Sequence, residues 1–189
     1  MRIVVGVTGA SGAIYAQRAL ELIAQMPGVD ADLVFTKTGR QVWAHEIGGD
    51  VGTLPFQIYS HNDMSAPFAS GSARYDGMMV IPCSSGSLAR MAHGLSIDLI
   101  GRAADVMLKE RRPLVLVLRE TPLSLVHLRN MTQLVEAGAT VLPASPSFYT
   151  HPKTMLDIVD TVVSRAFDQL GIHNELVRRW SGREDASGD

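Results

Sequence analysis

Small residues gather at two places in this chain, and cations gather at a third. Gly6-Val7-Thr8-Gly9-Ala10-Ser11-Gly12-Ala13 follows one aliphatic run and precedes another. Glycines between a strand and a helix let backbone approach a phosphate, and the helix amino terminus offers N–H donors and partial positive charge. A ribose phosphate or a flavin phosphate suits such a loop; a plain tight turn is the other reading. The spacing is G-x-x-G-x-x-G, whereas a nicotinamide dinucleotide calls for G-x-G-x-x-G, and Thr36-Lys37 stands where an acidic residue would meet its ribose. Tyr149 and Lys153 make a Y-x-x-x-K pair, but Pro146 and Pro152 break the helix that pair needs. NAD is therefore disfavoured.

The second small-residue loop is Pro82-Cys83-Ser84-Ser85-Gly86-Ser87. Its hydroxyls and amides could hold a phosphate or the edge of a heterocycle, or could simply cap the next helix. The cations are Arg102, Lys109, Arg111, Arg112 and Arg119, interspersed with Asp105, Glu110 and Glu120. Arg102 and Lys109 are two helical turns apart and share a face. Arg119-Glu120 comes directly after an aliphatic strand, where a guanidinium can clamp phosphate. Arg111 and Arg112 read as a solvated face. On residue type alone Arg165 reads as a surface arginine and Glu46 as part of a polar helix face. The six histidines lack ligand spacing and no G-x-S-x-G is present, so neither a metal site nor a serine hydrolase is expected.

These residues need elements to carry them. Strands are predicted at Ile3–Val7, Ala31–Phe35, Met78–Ile81 (stopped by Pro82), Leu114–Leu118 and Ala139–Leu142. Helices are predicted at Ala13–Met26, Gln41–Ile47, Ser87–His93, Asp98–Lys109, Leu125–Ala137 and 154–170. Alternating helices and continuous aliphatic strands imply an α/β domain with a parallel sheet covered by helices on both faces. Ligands of such sheets bind beyond the carboxyl ends of the strands, which points to 8–12, 36–40, 82–87, 119–122 and 143–149. Segment 60–76 has no period and reads as a long functional loop. One α/β domain is expected over 1–180, followed by a polar, frayed tail at 181–189.

Composition narrows the partners. The chain has 189 residues, 46% of them hydrophobic, and a net charge of -2, so no global field would hold nucleic acid or an anionic membrane. A single cysteine, Cys83, forms no internal disulfide. No apolar stretch is long enough for a membrane span, and the first residues do not make a signal peptide; a cytoplasmic protein is expected.

The ordered set Val7-Thr8-Gly9-Ala10-Ser11-Gly12, Asn62-Asp63, Ala69-Ser70-Gly71-Ser72, Pro82 to Leu88, Arg102-Ala103-Ala104-Asp105, Leu108 to Leu114, Arg119-Glu120-Thr121-Pro122 and Pro146-Ser147-Phe148-Tyr149 resembles the UbiX/Pad1-like flavin prenyltransferases over roughly 2–180. The resemblance implies a Rossmann-like (flavodoxin-like) fold and transfer of a dimethylallyl group from dimethylallyl monophosphate to reduced FMN. The product is prenylated FMN, for use by a UbiD-type decarboxylase. It implies FMN contacts from Gly9, Ala10, Ser11, Thr36, Ser84, Ser85, Gly86, Ser87 and Arg119. The donor phosphate would meet Arg102, Lys109, Arg119, Tyr149 and Arg165, and proton handling would fall to Ser11, Glu46 and Glu120. No metal is implied. A homo-oligomer, a dodecamer in relatives, would bring active-site residues together at subunit interfaces. Met64 stands where some relatives carry an aromatic residue, which changes the lining of the prenyl pocket. Two alternatives share the FMN site: an FMN-dependent cysteine decarboxylase, although no PASANT-like loop is present, and an FMN carrier.

Overall fold

The computed structural model describes residues 1–180. Six parallel strands form one sheet: β1 (Arg2–Val7), β2 (Asp30–Phe35), β3 (Gln57–Ser60), β4 (Gly77–Cys83), β5 (Leu114–Leu118) and β6 (Thr140–Pro143). Their spatial order is β3-β2-β1-β4-β5-β6. The helices are α1 (Ala13–Ile23), α2 (Lys37–Glu46), α3 (Ser85–Ala92), α4 (Leu99–Lys109), α5 (Leu125–Glu136) and α6 (Met155–Leu170). Among the described residues, no helix is long and apolar enough to cross a membrane.

Strand side chains alternate between two cores, as the pleat requires. Ile3, Val5, Val7, Leu33, Phe35, Met79 and Val115 pack under α1, α2 and α6. Val4, Val34, Met78, Val80, Leu114 and Leu116 pack under α3, α4 and α5. Both faces are covered, so the central strands are apolar throughout, as expected from the sequence. The chain goes from β1 outward to β2 and β3, then crosses to β4 on the other flank. That reversal leaves a crevice between the β1 and β4 loops, where sheets of this topology bind ligands.

Four details differ from the expectation. β3 was not anticipated. It is four residues long and pairs only with β2, so it has no aliphatic run. α2 begins at Lys37, four residues before the expected Gln41, because the Thr36 hydroxyl accepts the Gly39 N–H at 2.9 Å and caps the helix. β4 runs through Pro82 to Cys83: its register against β5 shifts between Val80 and Cys83, so the missing proline N–H is not required there. α1 ends at Ile23, three residues before the expected Met26. The expected loop 60–76 begins one residue later, since Ser60 ends β3, and is loop apart from a short 3-10 turn at Pro67–Ala69, whose Phe68 is fully buried. The expected frayed tail at 181–189 lies outside the described residues.

Candidate functional site

Four loops meet at the carboxyl end of the sheet: the first, second and third follow β1, β2 and β4, and the last follows β5. Thr8 joins the first to the third: its hydroxyl donates to the Pro82 carbonyl at 2.8 Å and accepts the Ser84 N–H at 2.7 Å. Arg119 ties both to the loop after β5. Its backbone N–H donates to the Cys83 carbonyl at 3.1 Å, and its guanidinium Nε donates to the Ser11 carbonyl at 2.9 Å. The second loop presses on the first from the other side. A Cβ on Gly9 would lie 2.5 Å from the Cβ of Thr38, so only glycine allows this approach.

The amino terminus of α1 is not open for a phosphate in the way the glycine spacing suggests. Glu46, at the end of α2, accepts the N–H groups of Gly12 and Ala13 on one carboxylate oxygen, both at 2.8 Å. Burial pushes its pKa up, but hydrogen bonds from the Ser11 hydroxyl and those two amides, with Arg119 nearby, outweigh this and hold it below the ordinary value. Glu46 is thus more than part of a polar helix face: it caps a helix distant in sequence and fixes the Ser11 loop.

Ser84 takes the capping role that the residue types of this loop had left open, and Ser87 supplies the N–H that is capped. The Ser84 hydroxyl accepts the Ser87 N–H at 3.3 Å, and Arg90 Nη2 donates to the Ser87 hydroxyl at 2.9 Å. Ser85 instead donates to Glu120 Oε2 at 2.6 Å, while the Thr121 N–H donates to Oε1 at 3.0 Å. The Ser85 bond is the main cause that keeps the Glu120 pKa low. Buried Cys83 has its thiol pushed up to about 12, mainly by burial, so it is no nucleophile at neutral pH. Gly9, Ala10, Ser11, Thr36, Glu46, Ser84, Ser85, Gly86, Ser87, Arg119 and Glu120 therefore all lie at the carboxyl end of one sheet. Amides, hydroxyls and one guanidinium around a crevice walled by small residues suit a flat ring bearing a phosphate, so this donor set fits FMN.

The remaining candidates are elsewhere. Tyr149 and Arg165 line one cavity of about 180 Å³ together with Ser147, Thr161 and Trp180. The Tyr149 and Trp180 rings meet edge to face, 5.9 Å between centroids. Lys109 is at the far end of α4, where the chain turns into the start of β5; it pairs with Glu110 at 2.5 Å and packs against Gly71. Arg102 donates to the Ala69 carbonyl and to Asp105, each at 2.9 Å. Arg112 is not a solvated charge, because it donates to the carbonyls of Ala73 and Gly71 and fastens that loop. The five residues of β5 span about 16 Å, so one copy of the chain holds Lys109 and Arg119 at opposite ends of its sheet. Sequence reasoning marked Thr8 within the 8–12 loop but gave it no role, because its hydroxyl left no pattern, and it missed the segment up to Trp180 that walls the Tyr149 cavity.

A flavoprotein family model matches residues 1–167. The chain is 47% identical over 188 residues to the flavin prenyltransferase UbiX of Thauera aromatica, covering 98% of this chain and 96% of that protein. It belongs to the UbiX flavin prenyltransferases. The crystal structure of AnUbiX (PadA1) in complex with FMN and dimethylallyl pyrophosphate superposes with a TM-score of 0.92 at 42% identity, covering 97% of this chain and 98% of that one. A dodecameric FMN-dependent UbiX-like decarboxylase from Escherichia coli O157:H7 also gives 0.92, at 43% identity, covering 96% of this chain and 100% of that one. Relatives of this kind do not favour the cysteine decarboxylase alternative.

Proposed function

We propose that this chain transfers a dimethylallyl group from dimethylallyl monophosphate to reduced FMN, in the cytoplasm, and that the prenylated FMN serves a UbiD-type decarboxylase. One observation carries the reading: a crevice walled by small residues, with Arg119 and two hydrogen-bonded carboxylates at its rim, in a chain that also presents cations and a phenol for a second, anionic substrate. Gly9, Ala10, Ser11, Thr36, the Ser84–Ser87 loop and Arg119 would hold FMN. When bound, reduced FMN supplies the nucleophilic ring nitrogen and the neighbouring ring carbon.

The protein handles the anion and the protons. Arg165 and the Tyr149 hydroxyl neutralise charge developing on the departing phosphate, with Lys109, Arg102 and Arg119. Lys109 sits at the opposite end of the sheet from the crevice, so it serves the crevice of a neighbouring copy. Exposed Leu125, Val126, Phe148 and Met155 give such a neighbour an apolar surface, which supports a homo-oligomer such as the dodecamer of the E. coli relative. Glu120 is held ionised by Ser85 and is a weak base on its own, so it orients the acceptor of the ring proton, with the released phosphate as the stronger base. Ser11, hydrogen-bonded to Glu46, is placed to relay the proton of the ring nitrogen.

The test is anaerobic incubation of the full chain with reduced FMN and dimethylallyl monophosphate, read by mass. The expected result is FMN heavier by one five-carbon unit. Unchanged FMN refutes the reading: tight FMN binding alone would then mean a carrier, and loss of carbon dioxide from a cysteine-ended peptide would mean a decarboxylase.

A further inference from the structure

The cavity shared by Tyr149 and Arg165 is closed on one side by the chain that leaves α6. This chain reverses at Gly171, and Val177, Arg178, Arg179 and Trp180 then line the cavity. A polar cluster centred on Asp168 anchors the segment. Asp168 Oδ2 accepts from Arg165 Nη1 at 2.9 Å and from Arg179 Nη1 at 2.5 Å. Asp168 Oδ1 accepts from Arg179 Nη2 at 2.7 Å and from Asn174 Nδ2 at 3.1 Å. Asn174 is buried and accepts the Ser164 hydroxyl at 2.8 Å, while Arg179 Nη2 also donates to the Asn174 carbonyl at 3.0 Å.

This is a built site, not a loose surface pair. The Asp168 side chain is 17% exposed and takes four donors on two oxygens, and Arg179 meets it with both arms of its fork. The Arg165 side chain is 61% exposed and long, so without a partner it would sample many rotamers. Trp180, the residue after Arg179, packs edge-on against Tyr149. Asp168 therefore touches one proposed phosphate ligand directly and reaches the other through Arg179 and Trp180.

We propose that Asp168 is a positioning residue for the donor phosphate, holding the Arg165 guanidinium directly and the Tyr149 phenol through the Arg179–Trp180 segment. The inference rests on the prenyltransfer reading. It also opposes simple charge arithmetic. A carboxylate beside an anion site repels the anion, so if charge alone mattered Asp168→Asn would tighten phosphate binding. If orientation matters, the same change weakens it.

The experiment compares full-length wild type with Asp168→Asn, Arg165→Ala, their double variant and Arg179→Lys. With reduced FMN saturating, Asp168→Asn raises KM for dimethylallyl monophosphate about tenfold and lowers kcat as well, because Arg165 and Tyr149 meet charge that grows as the phosphate departs. In the Arg165→Ala background it adds no more than about twofold, because the two residues act as one unit. Calorimetric Kd for inorganic phosphate rises in parallel, and FMN affinity is unchanged. Trp180 is exposed but packed on Tyr149, so loss of the anchor makes its time-resolved fluorescence anisotropy decay faster, with buried Trp43 as a silent reference. Arg179→Lys keeps a charge without the fork and raises the same KM about three- to fivefold, which keeps the proposal falsifiable if Asp168→Asn folds poorly. Unchanged or tighter phosphate binding in Asp168→Asn, an unaltered Trp180 anisotropy decay, or a full additional penalty in the double variant overturns the proposal. If wild type forms no prenylated FMN, the prenyltransfer reading fails on its own, while the phosphate and anisotropy measurements still decide whether Asp168 positions an anion site.

Discussion

Glu46 offers a way to separate holding a loop from moving a proton. Its carboxylate accepts two amides at the start of α1, each at 2.8 Å, in addition to the Ser11 hydroxyl. Glu46→Ala removes a cap, and caps are worth about 0.5–2 kcal/mol. Two amides are lost at once, yet the outer side of Glu46 is exposed, so water rescues part of the loss and about 1 kcal/mol is expected. Glu46→Gln keeps a carbonyl oxygen that can accept both amides and loses only the charge at the helix terminus, worth about 0.3–1 kcal/mol. Urea unfolding at neutral pH should therefore rank wild type above Gln and Gln above Ala. The acid limb gives a second check. Because the folded-state pKa lies below the unfolded one, the ionised carboxylate contributes fully above the unfolded value of about 4.3, and that contribution is lost as pH falls through the folded value. The gap between wild type and Gln should close on acidification. If Glu46 also passes the proton of the ring nitrogen, Gln loses turnover while keeping most of its stability. An Ala variant as stable as wild type, or a wild-type–Gln gap that widens in acid, would refute the assignment of the cap.

Two further substitutions probe opposite ends of the sheet. Gly9→Ala puts a methyl 2.5 Å from the Cβ of Thr38, so the first loop and α2 must separate by about 1 Å to regain normal contact. Overpacking of this kind costs about 1–3 kcal/mol, and FMN affinity should fall with stability; Thr38→Gly should restore part of both, read by urea unfolding and flavin titration. Tyr75→Phe acts at the amino end, where the tyrosine hydroxyl donates to buried Asp32, whose carboxylate also accepts Arg2 Nη2 at 2.7 Å. Loss of a hydrogen bond to a charged group should cost about 1.5–3 kcal/mol and leave FMN affinity untouched, because the network lies far from the crevice.

Much of the fold was legible because its strongest signal is local. Val4, Met78 and Leu116 face one core and Val5, Met79 and Val115 the other, so the three strands β1, β4 and β5 appear as nearly unbroken apolar runs whatever lies around them. The features that misled depend on neighbours. Gly39 looks like a helix breaker and delays the expected start of α2. In the fold it is required, since a Cβ there would lie 2.5 Å from the Val7 carbonyl oxygen where α2 crosses β1. Pro82 looks like a stop, yet its carbonyl is the acceptor through which Thr8 joins the first and third loops. Gln57-Ile58-Tyr59-Ser60 becomes a strand only because β2 offers it an open edge.

The site was legible by position but not by partnership. The loops after β1, β4 and β5 could be marked from strand ends alone, and Ser11, Ser85, Arg119 and Glu120 fall on them. What no spacing could reveal is that Glu46, thirty-four residues beyond Gly12, would cap α1. Nor could it reveal that Asp168 would bind Arg165 and Arg179 together. In each case the carboxylate holds a group far from it in the chain, Gly12 and Ala13 for Glu46 and Arg179 for Asp168, and only the packing of α1 on α2 and the reversal after α6 bring them together; Arg165, three residues before Asp168 on the same helix, is the one partner that spacing could have offered. Lys109 extends the rule beyond a single copy. Its distance from Arg119 is set by the length of a strand, which no side-chain rearrangement can shorten. A phosphate that meets both residues, as proposed above, would have to lie between two copies of the chain, and on that reading assembly is a condition of chemistry rather than an accessory to stability.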